Sequence, residues 1–157
     1  MKLPRARECG KCVSCCVALG VDEIAKPPKQ RCEHLKPQGG CGVYAVRPGS
    51  CADYRCAWLA GAFGLERHRP DRLGLMFDQA DSEASRKLAA VAGNAWLIAR
   101  ELWPGAAASG EAARVLAALA TQGLILLDRW GGSTHRNLRG PEELVRAAQA
   151  ALGEVPA

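Results

Sequence analysis

No apolar run in this chain reaches the roughly 18 to 20 residues that a membrane-spanning helix needs. The two most apolar stretches, 88–99 and 115–127, are interrupted by Asn94 and by Thr121 and Gln122. Lys2, Arg5 and Arg7 open the chain with no apolar run behind them, so a secretory leader is not expected. Also missing are a Gly-x-Gly-x-x-Gly after a strand, a phosphate-binding loop and a nucleophile elbow. Those absences remove the usual sequence marks of dinucleotide, nucleotide-triphosphate and serine-hydrolase chemistry. There is no internal repeat, and cysteine is absent from every position after residue 56. Together these features predict a cytoplasmic protein with no membrane association.

What remains is a concentration of thiols. All eight cysteines lie at Cys9, Cys12, Cys15, Cys16, Cys32, Cys41, Cys51 and Cys56. In a reducing compartment, dense cysteine reads as metal binding or catalysis before disulfides. A chain of 157 residues is long enough to bury a core without covalent staples, so a metal is not required merely to hold a tiny scaffold together. Charge divides along the same line: residues 1–59 hold ten Lys and Arg against five Asp and Glu, and the rest hold eleven against eleven. One reading is an acidic or nucleic-acid partner. The favoured reading is chance or compensation, since a metal centre with four thiolates carries about −2 overall.

Glycine and proline punctuate the cysteine-bearing part, at Gly10, Gly20, Pro27, Pro28, Pro37, Gly39, Gly40, Gly42, Pro48 and Gly49, and such punctuation breaks helices and strands into turns. A segment of this kind buries little apolar surface by itself, which makes a metal its plausible organiser. The expected division is a cysteine-cluster metal-binding module over 1–58 and an α+β part over 59–157, packed together as one compact domain. The fold class expected is α+β, with the loop-rich module against a small antiparallel sheet with helices. Residues 17–24 suit one short strand or turn, and 73–77 a strand. Residues 86–92 suit a second strand or the start of a helix continuing through Trp96 to 102. Residues 109–122 suit a helix capped by Ser109 and stopped by Gly123. Residues 124–130 suit a strand, Gly131 and Gly132 a hairpin turn, and 134–138 its partner. Pro141 opens a last helix over 142–152, with Glu142 and Glu143 at its positive end.

The chemistry begins with Cys9-Gly-Lys-Cys12-Val-Ser-Cys15-Cys16. Two cysteines separated by two residues make a knuckle whose backbone N–H groups turn toward the sulfurs. Three at that repeat, completed by a remote fourth, are how many four-iron clusters are held, whereas zinc usually takes two separated pairs. Cys16, adjacent to Cys15, cannot easily join the same centre. The remote ligands sit in Cys32-Glu-His34-Leu35, Cys41-Gly-Val-Tyr44 and Arg47-Pro48-Gly-Ser-Cys51, followed by Cys56. This series resembles the zinc- or iron-chelating cysteine-cluster family called CxxCxxCC or YkgJ-like. That pattern is the opening octet followed by Cys-x-x-Leu, Cys-x-x-Tyr and Arg-Pro-x-x-Cys, and the match covers about the first 58 residues. Many members carry a helical insert where this chain has the short segment 21–31, and Cys56 lies beyond the family pattern. The resemblance implies a zinc or iron–sulfur centre. It assigns no reaction, although similar clusters occur in flagellin lysine methylases.

The best ligand set is therefore Cys9, Cys12 and Cys15 or Cys16, closed by one of Cys32, Cys41, Cys51 and Cys56, with the remaining cysteines available to a second site. A 4Fe-4S cluster is favoured over zinc. His34 is expected to bond at the surface rather than ligate, and Tyr44, Tyr54 and Trp58 to pack over the metal. Arg47 is expected either to bond a sulfur or carboxylate or to stand at the surface. His68 and His135 read as solvated loop residues without a carboxylate partner, and Trp96, Trp103 and Trp130 as core. The leading function is a metal- or cluster-holding accessory module whose α+β part contacts a protein partner. The alternatives are an iron–sulfur-dependent modifying enzyme and a zinc-stabilised nucleic-acid or protein adaptor. No catalytic residue is assigned.

Overall fold

The computed structural model describes residues 7–62, 64–131 and 137–153, and the fold is α+β. Its centre is a four-stranded sheet of order β1-β2-β3-β4, formed by Leu75–Asp78, Trp96–Glu101, Leu124–Asp128 and Asn137–Arg139. The sheet is mixed rather than antiparallel as expected. The β1–β2 and β3–β4 pairs run antiparallel, and the β2–β3 pair runs parallel. The cause is the connection: a helix, α5 (Gly110–Ala120), lies between β2 and β3, and a crossover of that length returns the chain in its original direction.

The strands bury side chains on both faces. Leu75 and Phe77 of β1 and Ile125 and Leu127 of β3 pack with Ala112 and Leu116 of α5. On the other face, Trp96, Ile98, Leu124 and Leu126 pack against Leu88 of α4 (Glu83–Ala92) and Ala148 of α6 (Glu142–Leu152). The alternation follows from the pleat, which sends successive side chains to opposite faces. Each fully buried Leu or Phe here contributes about 1.5–3 kcal/mol.

Three of the expected boundaries move, one of them the end of the 124–130 strand, which stops at Asp128. Residues 86–92 are helical, but the helix does not continue through Trp96, because Gly93, at φ 59°, ends α4. The β-favouring run that follows becomes β2. Pro70–Leu73 forms a short helix, α3, so the strand begins at Leu75 rather than at residue 73. The glycine between them, Gly74, has φ 82°, and a Cβ there would lie 2.6 Å from the Trp103 ring. Ser109 precedes α5 without capping it through its side chain; its hydroxyl donates to the Ala106 carbonyl at 2.9 Å. Gly123 serves close approach rather than helix termination, since a Cβ there would meet the Ala95 carbonyl oxygen at 2.2 Å. The last helix spans the expected residues with Pro141 at its N-cap. Gly132 and 134–136, including His135, lie outside the described residues.

Before Trp58 the structure is irregular. Its longest elements are two five-residue helices, α1 (Ser14–Ala18) and α2 (Gly49–Asp53). Isolated bridges join Val21 to Lys26 and Leu35 to Cys41. The segment 17–24 thus holds the end of α1 and a 3-10 turn at Asp22–Ile24, with no strand. This part meets the sheet through Ala18, Cys56 and Trp58, which pack with Met76 of β1. Among the described residues no helix is long and apolar enough to cross a membrane.

Candidate metal centre

The opening knuckle is formed. The Cys12 amide donates to the Cys9 carbonyl at 2.9 Å, with Gly10 supplying φ 55° inside the turn. Cys15 and Cys16 follow on α1, where successive side chains diverge by about 100° around the axis.

Cysteines distant in sequence act on one another electrostatically, in two overlapping sets that share Cys16. In the first, the Cys9 thiol lies above its ordinary pKa because of burial and then the nearby Cys12, Cys56 and Cys16. Burial also raises the Cys56 thiol, with Cys12 adding to the effect. The Leu59 amide points at the Cys56 sulfur from 3.5 Å, an N–H···S arrangement of the kind that orients thiolate ligands. In the second group, burial and then Cys16 raise the Cys51 thiol, and Cys32 contributes as well. The Cys32 amide is tied to the Cys16 carbonyl at 3.1 Å. An interaction between the adjacent Cys15 and Cys16 thiols connects the two sets. It raises Cys15, reinforced by burial, and holds Cys16 down to about 7, with Lys26 assisting. Of the pair, Cys16 is the thiol shifted toward the thiolate, the form in which sulfur binds metal. Cys41 sits across its bridge from Leu35.

All eight cysteines are free thiols, and only Cys56 is fully buried. Among the described residues no three His, Cys, Asp or Glu side chains are gathered as a finished metal cage. The donors suit a soft metal, since thiolates select zinc, copper(I) and iron–sulfur clusters, but ligation in either group requires thiols to rotate toward a common point.

Lys26 escaped the sequence reading. It is 8% exposed and donates to the carbonyls of Pro27 at 3.2 Å, Val17 at 3.5 Å and Leu19. Burial lowers its pKa, and the facing Cys32, Cys16, Cys51 and Cys15 pull it back up. Lys26 is thus a buried ammonium beside several thiols. Its only sequence signal was a lysine just before the Pro27–Pro28 pair.

A second feature went unseen in sequence. Asp78, 2% exposed, accepts from the Tyr54 hydroxyl at 2.8 Å and from Arg100 at 2.7 and 3.2 Å. Arg100 reaches on to Asp128, which also takes Lys29 at 2.7 Å. This knot ties Lys29 and Tyr54 of the cysteine part to three strands of the sheet, and burial together with Asp78 raises the Tyr54 phenol.

Several expected roles change. Tyr44 is 64% exposed and does not cover the thiols; Tyr54 and Trp58 are the aromatics beside Cys56. Arg47 bonds neither sulfur nor carboxylate. It donates to the Tyr44 carbonyl at 2.7 Å and stacks on the Tyr44 ring. His68 has a carboxylate partner after all, with its Nε2 2.8 Å from Glu111. Among the tryptophans, Trp96 is buried but Trp103 is largely exposed. His34 lies 3.8 Å from Glu33 at the surface. Comparison with family models, curated proteins and solved structures finds no match for this chain.

Proposed function

We propose that this chain is a metal-binding cysteine-cluster protein that holds an iron–sulfur cluster or zinc and serves as a metal- or cluster-holding accessory module. The observation carrying the reading is the convergence of free thiols from distant positions. Cys12, Cys56 and Cys16 act electrostatically on Cys9, and Cys16 and Cys32 on Cys51, in a part of the chain with little regular structure of its own. Cys56, which lies beyond the YkgJ-like pattern, becomes the fourth ligand of the first group with Cys9, Cys12 and Cys15. Cys16, Cys32 and Cys51, with Cys41 nearest in sequence, form the second. Lys26 offsets thiolate charge in the second group. Bound there, a cluster supplies one-electron chemistry and zinc supplies structural order.

The test is anaerobic purification followed by metal and acid-labile sulfide analysis. A brown protein with iron, sulfide and absorbance near about 400 nm identifies the cluster. Stoichiometric zinc in colourless protein identifies zinc. Protein that carries no metal and takes up neither on reconstitution removes the reading.

A further inference from the structure

Away from the thiols, an open cleft of about 480 Å³ lies between the loop 55–62 and the starts of β2 and β3. Its volume falls within the range of small-molecule sites. The loop side is lined by Ala57, Ala60 and Ala62, whose small side chains leave the space open, and the opposite side includes Leu97 and Leu119. The frame is firm. The Ala57 amide donates to the Phe77 carbonyl at 2.7 Å and the Leu124 amide to the Ala95 carbonyl at 2.8 Å. Gly123 sits so tightly on Ala95 that no larger residue fits.

The polar groups of the cleft divide into committed and uncommitted. Asp78 is neutralised by Arg100 and bonded by Tyr54. The Gln79 amide donates to the carbonyls of Trp96 and Asn94. By contrast, the side chains of Arg55, Asn94 and Gln122 line the cleft without a hydrogen bond or ion pair to any described residue. The free charge in an otherwise apolar and amide-lined space is thus a guanidinium, whose planar fork matches a carboxylate.

We propose that this cleft binds a small organic carboxylate, with Arg55 pairing the carboxylate, the Asn94 and Gln122 amides available to its polar substituents, and its apolar body against Ala57, Ala60 and Leu97. The site is separate from the thiols, although Arg55 also acts on the Cys9 thiol, so the two share a cation.

The test titrates the intact protein, as isolated, with hexanoate, benzoate, hexylammonium and inorganic phosphate, followed by amide chemical shifts. Expected are saturable shifts at Ala57, Ala60 and Leu97 with the two carboxylates and none with hexylammonium. Arg55→Gln weakens hexanoate binding by at least about tenfold, Arg55→Lys restores part of it, and Ala60→Trp, which fills the cleft, abolishes it. Circular dichroism, unchanged in the variants, verifies folding. Absence of saturable carboxylate binding, equal binding by Arg55→Gln and Ala60→Trp, or hexylammonium binding as tight as hexanoate would overturn the proposal. Phosphate binding as tight as hexanoate would overturn the organic class. The readout is independent of metal, so its failure leaves the thiol reading untouched.

Discussion

Residues 75–128 hold their shape by burying apolar side chains on two faces of a sheet, whereas residues 9–56 hold theirs with two short helices, two isolated bridges and a few polar ties. The contrast extends to the buried polar groups. In the sheet they form a closed knot around Asp78; in the cysteine part the buried cation, Lys26, faces groups that become anionic only as thiolates or metal ligands. One part is complete as an apolar structure. The other has little apolar burial of its own beyond Ala18, Cys56 and Trp58 against Met76.

The largest expected effect comes from the knot that joins the parts. Asp78→Ala strands Arg100 with a buried charge and deprives Tyr54 of its acceptor. A loss of about 3–5 kcal/mol is expected in urea denaturation, and loosening of residues around Tyr54 in hydrogen exchange shows whether the cysteine part depends on the sheet. Leu116→Ala, at a fully buried position, removes apolar contact from the sheet alone. It is expected to cost about 3 kcal/mol while metal content stays at the wild-type level, and a fall in metal content breaks the division between the parts.

A smaller effect is expected at Glu111, whose carboxyl is held down to about 2 by His68 first, then by Arg67 and Arg114. Its folded value lies below its unfolded one, so the stabilisation is fully present above the ordinary carboxyl value of 4.5. It disappears as pH falls toward 2. Denaturation of wild type and Glu111→Gln across that window is expected to converge at the acid end. The smallest effect belongs to Tyr44→Ala, expected to change stability by less than about 0.5 kcal/mol. A larger change in thermal melting would restore Tyr44 to the cover of the thiols.

The sequence was most informative where one local rule decides the outcome. Pro141 with Glu142 and Glu143 fixed the last helix because propensity, capping and dipole agree there. Leu124 to Leu127 read as a strand because a branched and apolar run after Gly123 has no competing pattern. Sheet orientation was not legible, because the β2–β3 pair is parallel only through the path of α5, which no local pattern encodes. In the candidate site, the spacing of Cys9, Cys12, Cys15 and Cys16 announced the thiols, but the influence of Cys56 on Cys9 and of Cys16 on Cys51 depends on chain folding that no local spacing encodes. Lys26 and Asp78 were invisible for a similar reason. Burial of a lone charged residue is decided by distant neighbours: the thiols for one, Arg100 and Tyr54 for the other.

The central claim, that the thiols of residues 9–56 are occupied by metal, is tested most directly by alkylating the anaerobically isolated protein with iodoacetamide before and after chelation and mapping each cysteine by mass spectrometry. The account predicts that Cys9, Cys12, Cys15 and Cys56, together with Cys16, Cys32 and Cys51, resist alkylation until the metal is removed and react afterwards. Equal reactivity of these cysteines before and after chelation would contradict it.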